Sequence, residues 1–390
     1  MRVPMCAPSV GAVERDAVLE VLSTSVLALG PRLEAFERGL AARVGAAQGI
    51  GVNSGTSGLH LCMIAAGVGE GDLVLTTPFS FVASSNCVLY ERATPWFVDV
   101  EPDTLTLDVG RLELELKKLG RRGERVKAIL PVHVFGQPCD MDAILELGRR
   151  HGVAVIEDAC EAIGSEYKGR PVGAMGDAGV FAFYPNKQMT TGEGGMIVTN
   201  RADWDVAFRS LRNQGRDVFD GWLEHSRLGY NYRLDELSAA LGVAQLSRLE
   251  ELLSARERVA AWYDARLAGH EWLMLPQIAP WTTRTSWFVY VVRIATRELR
   301  DRVMHVLGER GIPARQYFPP IHLQRFYRER FGFRPGDFPV AEAAGDTCLA
   351  LPFFPDMTIE QVDEVCGELL AILEQEAPPS ARRAVAGGLG

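Results

Sequence analysis

From residue 32 to residue 199 the chain alternates short apolar runs with segments of helical period, and this alternation narrows the choice of fold more than any other feature. QGIGVNSG, DLVLTTP, TPWFVDV, VKAILPVHVFG, VAVIEDA, GDAGVFAFY and GGMIVTN read as strands. Between them lie helical stretches: RLEAFERGLAARVG, with Leu33, Phe36, Leu40 and Val44 on one face, then TSGLHLCMIAAGV, FVASSNCVLYER and MDAILELGRRHG. Several of the strands are apolar on both faces rather than alternating. Such strands, joined through helices, predict an α/β fold with a mostly parallel sheet covered on both sides. In such a sheet ligands bind at the edge formed by the carboxyl ends of the strands.

Beyond Asp235 the pattern changes. DELSAALGVAQLSRLEELLSARERVAAWYDARL, through Leu267, reads as one long helical stretch leading to a second, smaller unit. That unit holds the strand SWFVYVVRI, the helix ELRDRVMHVLGERG and the final helix TIEQVDEVCGELLAILEQE. The expected division is a large α/β domain over 1–250, a small C-terminal α/β domain over 251–376, and a disordered tail over 377–390 that has little to bury. A length of 390 residues suits two such units.

Composition excludes several classes. No apolar run approaches the roughly 20 residues of a membrane span. The opening residues lack the apolar core of a signal peptide, and seven scattered cysteines without CxxC or Cys/His spacing fit free thiols. A cytoplasmic protein without a metal site is expected. The net charge of −9, with arginines dispersed among acids, argues against nucleic acid as a partner.

Three features fall at ends of strands in the first half. NSGTSGLHL places Gly55, Thr56 and Ser57 where a strand passes into a helix. Backbone N–H groups and the helix dipole favour an anion such as phosphate there, although a Ser/Thr helix cap would look the same. VAVIEDACEAIG ends an apolar strand on Glu157 and Asp158. A carboxylate at that position is costly without a partner. It reads either as a helix cap or as an anion that keeps a ring nitrogen protonated. FYPNKQMTTGEGG places Lys187 after the apolar run VFAFY. A lysine there is either a solvated loop residue, the expected fate of Lys168, or an amine nucleophile. Together, anion cradle, carboxylate and lysine specify pyridoxal phosphate (PLP), which needs a phosphate site, a partner for its pyridinium nitrogen and an amine for its aldehyde. Phe81, in TTPFSFVAS, is a candidate ring to stack on the cofactor, or a core residue. No dinucleotide fingerprint, P-loop or nucleophile elbow is present.

The succession NSGTSGLHL, TTPFSFVASSN, PWFVDVEPDT, ILPVHVFGQPCDMDAI, VIEDACEAIGSEYKG, NKQMTTGEGGMIVTN, GYNYRLDELSAALG and PPIHLQ resembles the DegT/DnrJ/StrS-type aminotransferases over about Gly30 to Leu370. These are fold type I PLP enzymes acting mainly on nucleotide-linked keto-sugars. The resemblance implies a large domain with a seven-stranded-type, mostly parallel sheet between helices. It implies that Lys187 bonds the cofactor, that Asp158 pairs with its ring nitrogen, that Gly55, Thr56 and Ser57 hold its phosphate and that Phe81 stacks on it. Asn231, in GYNYR, matches an asparagine that reaches the phosphate of the neighbouring subunit, implying a homodimer with shared active sites. Glu161 falls where the family often has Gln or His near the cofactor's ring oxygen. Ala182 departs from a serine common five positions before the lysine, removing one hydroxyl contact, about 1 kcal/mol.

Some relatives are dehydratases with His in place of the lysine; the retained Lys187 favours transamination. The run TTGEGG is similar to members that aminate C4 of the sugar. The expected reaction takes L-glutamate as amino donor and leaves 2-oxoglutarate and an amino sugar nucleotide, in ping-pong order. Arg233, Arg315 and His322 are candidates for the substrate's negative groups, with Tyr317 near the sugar. The alternatives are an aminotransferase for a keto-cyclitol and a PLP-binding sensor without turnover.

Overall fold

The computed structural model describes residues 2–217 and 224–376; the expected tail over 377–390 lies outside them. The chain opens with α1 (Ala12–Leu22), α2 (Pro31–Val44), β1 (Gln48–Val52), α3 (Gly55–Ala65), β2 (Leu73–Thr76), α4 (Ala83–Tyr90) and β3 (Thr94–Phe97). It continues through α5 (Val109–Arg121), β4 (Val126–Ile129), α6 (Met141–His151), β5 (Ala154–Asp158), β6 (Glu166–Tyr167), β7 (Arg170–Pro171), β8 (Ala178–Ala182), β9 (Gly195–Thr199) and α7 (Ala202–Arg212). The second half holds α8 (Glu236–Ser247), α9 (Leu249–Leu267), β10 (Leu273–Met274), β11 (Thr282–Arg284), β12 (Tyr290–Ile294) and α10 (Arg297–Glu309). It ends with α11 (Arg325–Phe331), α12 (Pro339–Thr347), β13 (Cys348–Leu351) and α13 (Ile359–Glu376).

Seven strands form the central sheet in the order β1-β9-β8-β5-β4-β2-β3. The neighbours from β8 to β3 pair in parallel. β9 runs against both β1 and β8. Apolar residues of the strands feed two layers, as their unbroken hydrophobicity requires. One layer packs α2, α5 and α6 through Phe36, Leu116 and Ile144; the other packs α3, α4 and α7 through Leu59, Val88 and Phe208. α5 shows the local logic. Asp108 caps it by accepting from the Arg111 N–H at 2.9 Å, and Leu112, Leu116 and Leu119 recur on one buried face. Truncating Leu116 to Ala would cost about 2–5 kcal/mol through lost burial and the cavity left behind.

A third apolar cluster joins α9, α10, α13 and the antiparallel sheet β10-β12-β13. Val3 is fully buried in this cluster, and the Phe353 N–H donates to the Met5 carbonyl at 3.0 Å. The first residues thus pack on the C-terminal cluster rather than on the sheet that follows them in sequence. The long helical stretch read from Asp235 to Leu267 is two helices, broken at Arg248. There Arg248 leaves helical geometry and pairs with buried Glu14 of α1 at 2.8 Å. α1 itself buries only Glu14 and Val21, so its sequence carries little apolar period. Among the described residues no helix is long and apolar enough to cross a membrane, and no His/Cys/Asp/Glu cluster could hold a metal ion.

Candidate active site

β1, β5 and β8 end on the same edge of the sheet, and the reversal of β9 brings its first residue there too. Gly195 pairs with Val52 at the end of β1 and with Ala182 at the end of β8. A Cβ on Gly195 would lie 2.6 Å from the backbone of Ser54, so only glycine lets the start of α3 settle against the sheet. Ser54 caps α3, its Oγ accepting from the Ser57 N–H at 3.1 Å. The N–H groups of Gly55 and Thr56 have no acceptor within the helix and face outward with the positive end of its dipole. A Cβ on Gly55 would meet Ala182 Cβ at 2.8 Å and Cys160 Sγ at 2.9 Å. The helix tip, β8 and the residues after β5 therefore lie in van der Waals contact.

Glu157 and Asp158 are neighbours in β5 and face opposite ways. Glu157 is fully buried and accepts from the N–H groups of Gly173, Met175 and Gly176 at 2.7, 2.7 and 2.8 Å. Its fourth partner is His133 Nε2 at 3.1 Å; the Cys139 N–H donates to Nδ1 of the same ring, which sets the tautomer that donates to Glu157. Burial works against the charge of Glu157, but these donors outweigh it and hold the carboxyl below its ordinary range. Glu157 is thus spoken for by the fold. Asp158 accepts from Ser84 Oγ at 2.7 Å and from the Cys160 N–H at 3.2 Å, and it lines the cavity.

Lys187 sits in the loop between β8 and β9. Its Nζ lies 3.5 Å from Glu161 Oε1 and 3.8 Å from the centroid of the Phe288 ring, with only 13% of the side chain exposed. This is not the environment of a solvated loop lysine. Lys168 has that environment: half exposed, it pairs with Asp142 at 2.8 Å. Arg256 of α9, itself buried, donates to the Lys187 carbonyl at 2.8 Å and to those of Trp287 and Phe288 at 3.2 Å. Glu161 is held from the other side, Oε2 accepting from the Phe135 N–H at 2.9 Å.

These groups open onto one cavity of about 1170 Å³. Gly55, Thr56, Phe81, Asp158, Glu161, Lys187 and Tyr317 all line it. Phe81 is 61% exposed; the core position in that segment belongs to Phe79, which is fully buried. Ser57 is buried and does not reach the cavity, because its hydroxyl is engaged by Asn53 Oδ1 at 2.6 Å and Ser54 Oγ at 2.9 Å. Ser54, one turn back, stands at the wall in its place. His322 is fully buried and bonded to Glu342 Oε1 at 3.0 Å, and burial pulls its pKa down. A neutral, enclosed imidazole offers the substrate no charge. Arg233 donates to Asn213 Oδ1 at 3.0 Å, and Arg315 is exposed with one nitrogen on the Ala314 carbonyl; neither lines this chain's cavity. Asn231 is exposed between Tyr230 and Tyr232, whose rings stack at 5.0 Å, and likewise lies outside the cavity of its own chain.

Sequence reasoning missed Ser84, Phe288 and Arg256. Arg256 did leave a signal: it interrupts the buried stripe Leu252, Leu253, Val259 and Ala260 of α9, where a cation needs acceptors.

An amine on a cavity wall, a carboxylate held by two neutral donors and a helix tip with free N–H groups are the donor set that pyridoxal phosphate requires, and the close approach at Gly55 keeps the tip clear of side chain. Fold and site define a fold type I, PLP-dependent aminotransferase. The chain belongs to the DegT/DnrJ/EryC1/StrS aminotransferase family, which it matches over residues 8–370. It is 40% identical over 377 residues to the GDP-perosamine synthase of Caulobacter vibrioides, covering 95% of this chain and 98% of that one. It is 35% identical to the spore coat polysaccharide biosynthesis protein SpsC of Bacillus subtilis, covering 93% and 95% of the two chains. The structure of S. venezuelae DesV in complex with a ketimine intermediate superposes with a TM-score of 0.86 at 35% identity, covering 94% of this chain and 97% of that one.

Proposed function

We propose that the protein transfers the amino group of L-glutamate to C4 of a nucleotide-linked keto-sugar, working in the cytoplasm as a homodimer with shared active sites. The observation that carries this reading is the enclosed Lys187 amine, which lines one cavity together with Asp158 and the tip of α3. The likeness to a GDP-perosamine synthase supports a nucleotide-linked substrate.

When bound, pyridoxal phosphate supplies an aldehyde that can bond an amine and a protonated ring that draws electrons from the carbon beside it. The N–H groups of Gly55 and Thr56 receive the phosphate, and the dipole of α3 favours its charge. Asp158 holds a proton on the ring nitrogen; its two hydrogen-bond donors, Ser84 and the Cys160 N–H, keep it oriented. Phe81 offers a ring face to cover the cofactor. With the cofactor bound, Lys187 Nζ would serve as the base that takes the proton from the donor's α-carbon and as the acid that gives it back. After 2-oxoglutarate leaves, the keto-sugar enters and Lys187 moves the proton in the opposite sense. Tyr317 lines the same cavity, which supports its meeting the sugar. Exposure of Asn231 on its own chain, fixed between two stacked tyrosines, supports its reaching a partner's phosphate site.

The test is an amination assay with L-glutamate and a panel of nucleotide-linked 4-keto-sugars, 3-keto-sugars and keto-cyclitols, read by product mass. Amination confined to the 4-keto-sugar nucleotides is expected. Amination of cyclitols alone, or no glutamate-driven loss of the cofactor's yellow colour, would overturn the reading.

A further inference from the structure

Glu161 is one carboxyl more than cofactor capture needs. Asp158 and Glu161 are both buried beside one cavity, and Lys187 is the one cation paired with Glu161 among the described residues. Glu161, buried with the Lys187 ammonium as its ion-pair partner and a second buried carboxylate lining the same cavity, is stable as a charged group only while that ammonium keeps its charge. Once Nζ is a neutral amine, one carboxyl must be neutralised.

The surroundings decide which. Asp158 accepts two hydrogen bonds from neutral donors, the Ser84 hydroxyl and the Cys160 N–H. The Glu161 side chain accepts one, from the Phe135 N–H, and otherwise has only Lys187. The other titratable groups facing it supply no charge: burial pushes the Cys160 thiol and the Tyr317 phenol up, so both are neutral at neutral pH. Burial, opposed by Lys187 and the Phe135 N–H, also leaves the Glu161 carboxyl above its ordinary range.

The position is built rather than incidental. Phe135 gives its N–H to Glu161 from a left-handed backbone, φ 59°, that a non-glycine residue adopts only when its surroundings hold it there. Its ring lies parallel to those of Phe318 and Tyr317, at 5.5 and 6.5 Å. Gln188 fixes the main chain of Glu161 by donating to its carbonyl at 2.6 Å.

We propose that Glu161 is the proton store for Lys187: it accepts the proton the ammonium gives up and returns it when the nitrogen is charged again. The Nζ–H bond breaks and an Oε1–H bond forms across the 3.5 Å gap. Ammonium and carboxylate become amine and carboxylic acid, and no electrons change hands. This deepens the amino-transfer reading by keeping the proton inside the site between half-reactions, and it rests on that reading for its purpose.

The test uses full-length protein freed of cofactor. Lys187→Met and Lys187→Gln each remove the cation, and Lys187→Met/Glu161→Gln removes the carboxyl as well. Infrared difference spectra at neutral pH should show a protonated-carboxyl band in both single variants. The band should be absent from the wild type and from the double variant. On titration of Lys187→Met it should persist to a midpoint above that of an ordinary glutamate, because burial is then unopposed by the ammonium. Two independent neutral replacements guard against one that fails to fold, which circular dichroism would reveal. Folded single variants without the band would overturn the proposal while leaving amino transfer intact. A band without amino transfer would instead point to a fault in the functional reading.

Discussion

Arg256 donates to the carbonyl oxygen of Lys187 at 2.8 Å, tying the helix that leads into the C-terminal half to the main chain of the lysine on the cavity wall. Burial pulls this guanidinium down to about 10, yet it stays charged at neutral pH and spreads over the carbonyls of Lys187, Trp287 and Phe288. Replacement by Met keeps the volume but leaves those carbonyls unpaired. We expect Arg256→Met to cost about 3 kcal/mol in urea denaturation and to slow capture of the cofactor. Arg256→Lys should not restore it, because a single ammonium cannot reproduce the fork.

Lys187→Ala should give colourless protein that folds normally. Borohydride treatment with cofactor should leave no mass adduct at this position, and amino transfer should fall to background. A persisting adduct on the variant would remove Lys187 from its assigned role.

Asp158→Asn preserves shape, and the amide oxygen can still accept from Ser84. Stability should change by no more than about 1 kcal/mol. Turnover should fall on the order of 10²-fold, because the charge opposite the ring nitrogen is gone while the hydrogen-bond geometry survives. Near-normal turnover would refute the pairing.

Glu157→Gln makes the opposite prediction: a large stability loss and no change in the site's chemistry. An amide cannot accept from all four donors that surround Glu157, and the expected cost is about 3 kcal/mol. The wild-type carboxyl titrates below its ordinary value of 4.5 in the folded protein. Its contribution is therefore fully present above that value and is lost as pH falls through the lower, folded pKa. Urea midpoints measured from neutral pH into acid should fall less steeply in Glu157→Gln than in the wild type.

Gly55→Ala drives a methyl group against Ala182 and Cys160. We expect a stability loss of about 1–3 kcal/mol and weaker cofactor retention on dialysis, since the tip of α3 must back away from the strand end. Unchanged retention would mean the phosphate is held elsewhere.

The parts of the site that follow from local patterning were legible in the sequence. Strand ends, a small-residue turn into a helix and a lysine after an apolar run are all local signals, and they led to Gly55, Thr56, Lys187 and the pair Glu157 and Asp158. What depended on pairing was not legible. ED at a strand end does not say which carboxylate faces the cavity; that is set by the pleat and by the loop at 173–176, which offers its N–H groups to Glu157. Ser57 reads with Gly55 and Thr56 as a holder of the phosphate, but Asn53 engages its hydroxyl. His322 is a candidate in the sequence for the substrate's negative groups, but it is fully buried and bonded to Glu342, 20 residues on. The break at Arg248 depends on Glu14, which is far away in sequence and carries no periodic signal.

The reversal of β9 has a mechanical consequence. The segment that carries the lysine is a hairpin, with each foot hydrogen-bonded into the middle of the sheet. Along β9, Met196 and Val198 feed one apolar layer and Ile197 the other. A slip of one residue would exchange those faces, so an insertion between 183 and 194 cannot be relieved by sliding the strand. The height of the amine above the sheet is thereby locked to the packing of both layers, and a lengthened loop would lift Lys187 out of reach while the rest of the protein remained folded.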